Sequence, residues 1–321
     1  MDLKKCKVLV SATSYGKNDP SLITSLEEQV GEVIFNTTGK YYKSPQLADL
    51  LAGVDGFIPG LDEIDEAALN KADRLKVISR YGIGIDNVDL EFARKKKIIV
   101  TNTPGANSAS VAELALGLIL SLLRHIPNAV EATRRGDWPR MNGLSLVGKS
   151  IGIIGFGSIG RELARRLSGF QCNILAYDPF QPPANVEKFG ANLIELNKVL
   201  SQSDLVSLHL PATNETKKMV NQDFLSRMKP GSYLINTARG DIIDEAALLG
   251  ALESGQIAGA ALDVFTEEPP VISSPLFSHP NLLVTPHMAA HTDGATNAMG
   301  WMSLTDCLAV LKGEEPRYRV A

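Results

Sequence analysis

The sequence predicts an α/β protein of two doubly wound parallel-sheet domains, one inserted into the other. Three observations carry that prediction. Short β-branched runs alternate with amphipathic helical stretches along most of the chain, as βαβ units and hence parallel sheets require. The strand-like runs fall into two series, the second beginning after Gly148. Two long helical stretches, 108–135 and 292–311, flank that second series, and the later one has no place in its sheet by pattern. Two domains in tandem are the alternative to an insertion.

In chain order, the first series reads as strands at 7–10, 32–35, 56–58, 76–79 and 98–101, with helical spacing at 64–72 and 90–94. Residues 108–135, rich in Ala and Leu, read as one helix with Asn107 or Ser108 as its cap. The second series places strands at 151–154, 173–177, 205–209, 233–236, 258–262 and 282–284. No fixed-period repeat interrupts either series.

A length of 321 residues suits two ordinary domains, and 44% hydrophobic residues are ample for two cores. Lys plus Arg number 32 against 36 for Asp plus Glu, a net −4. With no basic block, the chain has no footprint for nucleic acid or an anionic membrane. Cys6, Cys172 and Cys307 are odd in number and far apart, so they predict neither a disulfide framework nor a metal site, but a reducing compartment. The N-terminus lacks the apolar run of a signal peptide, and the stretch 112–123 is too short to span a membrane. The expected location is cytoplasmic.

Gly155, Gly157 and Gly160 stand in G-x-G-x-x-G spacing. Alone, that spacing is weak; here it follows the strand 151–154 and opens a helix at 159–167, the context its mechanism needs. Gly155 allows the tight turn, Gly157 lets a diphosphate approach the backbone, and Gly160 lets helix and strand pack closely. The amides of Ser158 and Ile159 at the helix start then face the diphosphate. Asp178 ends the next strand, eighteen residues past Gly160, where an acid accepts hydrogen bonds from the adenosine ribose. Pro179, Phe180 and Gln181 offer no cation for a 2′-phosphate, so NAD is expected rather than NADP. A turn residue in Asp-Pro is the plainer reading of Asp178.

Three ionisable residues follow late strands of this sheet: Arg239, Glu268 and His287. Singly, each reads as a surface charge, a loop acid and a packed imidazole. Together they suit hydride transfer. Arg grips a carboxylate bidentately, His moves a proton near neutral pH, and Glu holds the imidazole.

Residues 148–163, 205–221, 228–248, 258–270 and 281–292 resemble the D-isomer-specific 2-hydroxyacid dehydrogenase family, as do 79–90 and 102–117 upstream. The run NTARGDIIDE at 236–245, with Asp263-Val-Phe and Thr285-Pro-His, is the most specific part. The resemblance implies a Rossmann NAD domain at 103–287 inserted into a flavodoxin-like substrate domain at 1–102 and 288–321. It implies that Arg239 binds the substrate's carboxylate and 2-oxo oxygen, and that His287, paired with Glu268, exchanges the proton. Asp263 would orient the nicotinamide carboxamide. Thr237 and Ala238 would meet the cofactor through their backbone, and His209, Pro211 and Ala289 would line its site. Ile83 and Gly84 would cradle the carboxylate with amides, with Asn107 near the reacting end. A small 2-hydroxy or 2-oxo acid is thus the expected partner, with a homodimer formed through the helix after Gly105.

Within the family, 79–89 and Trp138-Pro-Arg140 are most similar to phosphoglycerate dehydrogenases. One departure stands out. That subgroup has a phosphate-binding arginine after the third strand, where this chain has Pro59. Arg80 and Arg140 are the remaining candidates to meet a phosphate, each with surface charge as its alternative. Gly60 is expected to offer an amide to a carboxylate. The chain ends at Ala321, so a C-terminal regulatory domain, and with it feedback by serine, is not expected. An NAD enzyme of the same fold acting on formate or phosphite, or a non-enzymatic NADH-sensing protein, are the alternative functions.

Overall fold

The computed structural model describes residues 2–321. It divides into two compact units, Met1–Asn107 with Ala290–Ala321, and Ser108–Ala289.

The first unit holds five parallel strands: β1 (Lys7–Val10), β2 (Glu32–Phe35), β3 (Gly56–Ile58), β4 (Val77–Ser79) and β5 (Ile99–Thr101), in the order β2-β1-β3-β4-β5. β1, β3 and β4 are buried on both faces, so their residues read as continuous apolar runs without alternation. The twenty-residue helix Asp293–Lys312 belongs here. It starts on a Thr292 side-chain cap, ends at Gly313 in a left-handed turn, and buries Met299, Leu304, Cys307 and Leu311. Cys6 joins the same core, so two of the three cysteines pack as small hydrophobes. Buried Asp306, on this helix, accepts from the amides of Arg317 and Tyr318 beyond its end. The tail then pairs with β5: Val320 donates to the Val100 carbonyl, and Val100 donates to that of Ala321.

The second unit holds seven parallel strands: β6 (Ser150–Ile154), β7 (Asn173–Tyr177), β8 (Ala191–Leu193), β9 (Leu205–Leu208), β10 (Ser232–Asn236), β11 (Ile257–Leu262) and β12 (Leu282–Val284). Their order is β12-β11-β10-β9-β6-β7-β8. The order reverses at β6, so the crevice between the ends of β6 and β9 is where a doubly wound sheet takes its ligand.

Two expectations about elements are corrected. The stretch 108–135 is two helices, Ser108–Leu123 and Ile126–Arg134, meeting at 61°. His125 sits in the left-handed region at φ 52° and Pro127 occupies the first turn of the second helix, which breaks the run. Neither Asn107 Oδ1 nor Ser108 Oγ makes a hydrogen bond, so neither side-chain oxygen caps the first of these helices. The strand β8 has no counterpart in the sequence reading. No single helix among the described residues is long and apolar enough to cross a membrane.

Candidate functional site

The glycine turn lies at the end of β6, at the switch in strand order. Gly155 has φ 92°, and a Cβ there would fall 2.4 Å from the His209 carbonyl oxygen. At Gly160 a Cβ would fall 2.3 Å from the Gly155 carbonyl oxygen. Those two glycines are demanded by the protein itself. Gly157 is not, since a Cβ there would meet nothing within 4 Å. Its openness is the space that a diphosphate needs to reach the backbone. The helix Ser158–Leu167 begins there without a side-chain cap, leaving its first amides to a ligand. The residues present therefore fit a dinucleotide.

Asp178 does structural work beside this turn. Its Oδ2 accepts from the Phe156 amide and its Oδ1 from the Phe180 amide, both at 2.8 Å. A carboxylate offers about four lone-pair sites, so two remain for ribose hydroxyls. The turn-residue bonds of Asp178 thus leave lone pairs for the cofactor reading. His209 lies behind the turn, its amide donating to the Ile154 carbonyl and its Nε2 lying 2.9 Å from Ser207 Oγ. Burial pushes its imidazole down to about 4. Pro211 follows with its carbonyl bonded by Thr216 Oγ1.

The ionisable trio is brought together by register. Asn236, Leu262 and Val284 stand level on β10, β11 and β12. Arg239 comes three residues past the first and His287 three residues past the last, so both leave the same sheet edge at the same depth. Gly240 lets the Arg239 turn lie directly on the loop leading to Glu268, because a Cβ there would fall 1.9 Å from the Phe265 carbonyl carbon. Asn236 locks the turn from beneath, accepting from the Ala238 amide and donating to the Arg239 carbonyl. Arg239 Nη1 donates to the Ala238 carbonyl at 2.7 Å. Thr237 Oγ1 is buried with no partner among the described residues, an unmet demand beside the predicted cofactor contacts.

His287 Nδ1 lies 2.6 Å from Glu268 Oε2, while Glu268 Oε1 accepts from the Phe265 amide at 3.1 Å. The carboxylate is therefore fixed by the backbone and in turn fixes the imidazole. With Nδ1 so held, Nε2 is the nitrogen that can exchange a proton with a substrate. Asp263 is fully buried, and its carboxylate accepts from Thr285 Oγ1 and from the amides of Met288 and Ala289.

In the first unit, Arg80 is only 4% exposed, so it is not a surface charge; its guanidinium donates to the Tyr81 carbonyl beneath Gly82. The amides of Ile83 and Gly84 donate to no acceptor among the described residues. Asn107 Oδ1 is buried and likewise without a partner. The expectation for Gly60 is overturned: its amide donates to Oδ2 of buried Asp62, which also holds Ser11 and the Tyr42 amide. Pro59 and Gly60 together thus offer an anion neither a charge nor a spare N–H. Arg140, in the second unit, is exposed.

Comparison with known proteins settles the relationship. Residues 116–289 match the model of the D-isomer-specific 2-hydroxyacid dehydrogenase NAD-binding domain. The chain belongs to this family. It is 42% identical over 255 residues to a D-3-phosphoglycerate dehydrogenase of Methanocaldococcus jannaschii, covering 78% of this chain and 48% of that one. A hydroxypyruvate reductase of Thermotoga maritima is 37% identical over 88% of this chain and 93% of its own. The chain spans half or less of the length of the first phosphoglycerate dehydrogenases it matches. Among solved structures, a D-lactate dehydrogenase of Aquifex aeolicus complexed with NAD and lactic acid is 28% identical, with a TM-score of 0.85 over 96% of each chain. The fold class and the NAD cofactor read from the sequence are those of the family.

Gly240 and Thr285 lie inside the most specific motif runs, but the sequence reading gives neither a role of its own. Their importance lies in backbone approaches and hydrogen bonds to residues more than twenty positions away. The position of Thr285, two residues before the histidine at a strand end, is the one local signal.

Proposed function

We propose that this chain is an NAD-dependent dehydrogenase that interconverts a 2-oxo acid and its D-2-hydroxy acid. The pairing of His287 Nδ1 with Glu268 Oε2 at 2.6 Å, on the sheet edge that also carries the glycine turn, supports the reading. NAD(H), when bound, supplies or accepts a hydride at nicotinamide C4. Arg239, offered from the end of β10, suits a carboxylate and the polarised 2-oxo oxygen. His287 gives its Nε2 proton to that oxygen in reduction and takes it back in oxidation. In the first unit, the unbonded amides of Ile83 and Gly84 suit a carboxylate. Thr237, Ala238, His209, Pro211 and Ala289 are the further cofactor contacts in this reading.

For the substrate, compact unphosphorylated acids are favoured over 3-phosphohydroxypyruvate. Pro59 and the occupied Gly60 amide remove two donors, and a charge-assisted contact is worth about 1.5–3 kcal/mol, or roughly tenfold to a hundredfold in affinity. The near full-length match to a hydroxypyruvate reductase agrees. The test is kcat/KM with NADH for glyoxylate, hydroxypyruvate and 3-phosphohydroxypyruvate at one pH and salt concentration. We expect the first two to be turned over at least comparably with the third. A preference above about a hundredfold for the phosphorylated acid would mean that other cations supply the charge.

A homodimer and a cytoplasmic location complete the proposal. The segment 126–147 presents Ile126, Val130, Trp138, Met141, Leu144 and Val147 to solvent, an apolar run of the kind that self-association covers. Three unpaired cysteines suit a reducing compartment.

A further inference from the structure

We propose that Thr285 and Asp263 form a positioning pair that sets His287 in place; the inference rests on the function proposed above. Asp263 is fully buried just past the end of β11. All of the named donors to its carboxylate come from the loop after β12. Oδ1 accepts from Thr285 Oγ1 at 2.6 Å and from the Met288 amide at 3.0 Å, while Oδ2 accepts from the Ala289 amide at 3.0 Å. Its backbone carbonyl accepts from the His287 amide at 2.8 Å. One residue therefore grips both flanks of the histidine and the histidine's own backbone.

That grip has a task. His287 has φ 48°, a left-handed conformation that a residue with a Cβ adopts only when its surroundings impose it. Glu268 orients the imidazole ring, and its other oxygen accepts from the Phe265 amide. Of the three donors to the Asp263 carboxylate the Thr285 hydroxyl is the side-chain one, so it can be removed without changing the backbone.

The test compares Thr285→Val, which removes the hydroxyl at nearly constant shape, with Thr285→Ser, which keeps it. In reduction of the best 2-oxo acid, T285V is expected to lose about 10- to 100-fold in kcat. Its KM for NADH should stay within about twofold, and T285S within about threefold of the parent in both constants. In the chain without cofactor, amide exchange at Met288 and Ala289 should speed up about tenfold in T285V and not in T285S. Thr285→Ala takes its place if T285V does not fold. An unchanged kcat with unchanged exchange overturns the proposal, as does a raised KM for NADH at constant kcat, which would mean that the Thr285 hydroxyl serves cofactor binding and not the placement of His287. If the parent chain reduces no 2-oxo acid, the proposed function fails, and the exchange measurement alone still decides the pair.

Discussion

At the scale of single residues, the proposed chemistry depends on one imidazole, with Nδ1 held by Glu268 and Nε2 left for the substrate. Replacing His287 by Ala should lower kcat by about 10² to 10⁴ while NADH still binds, because the proton has no other carrier. Glu268→Gln should be milder, because a carboxamide can still reach Nδ1 but holds the imidazole less firmly than the carboxylate 2.6 Å away does. A kcat in E268Q equal to that of the parent would dismiss the pairing. These residues were legible in the sequence because each follows a strand of one parallel sheet, and such strands end on one side. Asp178 was legible too, but its two amide bonds were not, since nothing local shows that a carboxylate reaches back to Phe156.

At the scale of elements, the turn after β10 is held against the loop after β11 by the absence of a side chain. Gly240→Ala would place a Cβ 1.9 Å from the Phe265 carbonyl carbon, and backbone cannot swing aside as a side chain can. The expected cost is about 1–3 kcal/mol in stability, with a larger loss in kcat because Arg239 and Glu268 both shift. Thermal melting and initial rates on G240A check it, and an unchanged melting temperature would show that the two loops move freely. Strand types were largely readable from β-branched runs, but β8 was not. It has three residues and lies at the sheet edge, too short for periodicity to register. The helix break at His125 was missed for a different reason. Apolar spacing persists across 108–135, and Pro127 was the only mark of the turn.

At the scale of the whole molecule, acid stability should carry the mark of His209. Its folded imidazole protonates only near 4, against 6.5 for the free group. Between those values the unfolded chain binds more protons than the folded one, so stability falls as pH drops from about 6.5 towards about 4 and this contribution then levels off. Denaturant melts at pH 7, 5.5 and 4.5 should show the fall, and it should be shallower in His209→Gln. An identical slope in the variant would assign the acid sensitivity elsewhere. The division into two series was visible in the sequence, whereas the strand order was not, because hydrophobic pattern records burial and not neighbours. One detail of the first unit bears on life in a crowded solution. The outermost strand of a parallel sheet is an invitation to any passing strand, offering bare amides and carbonyls in a row. At β5 that invitation is already taken up by the chain's own tail, pinned by Asp306 and laid along Val100. The last residues of this chain therefore act as a guard rail against cross-strand recruitment, a duty separate from anything the active groups do.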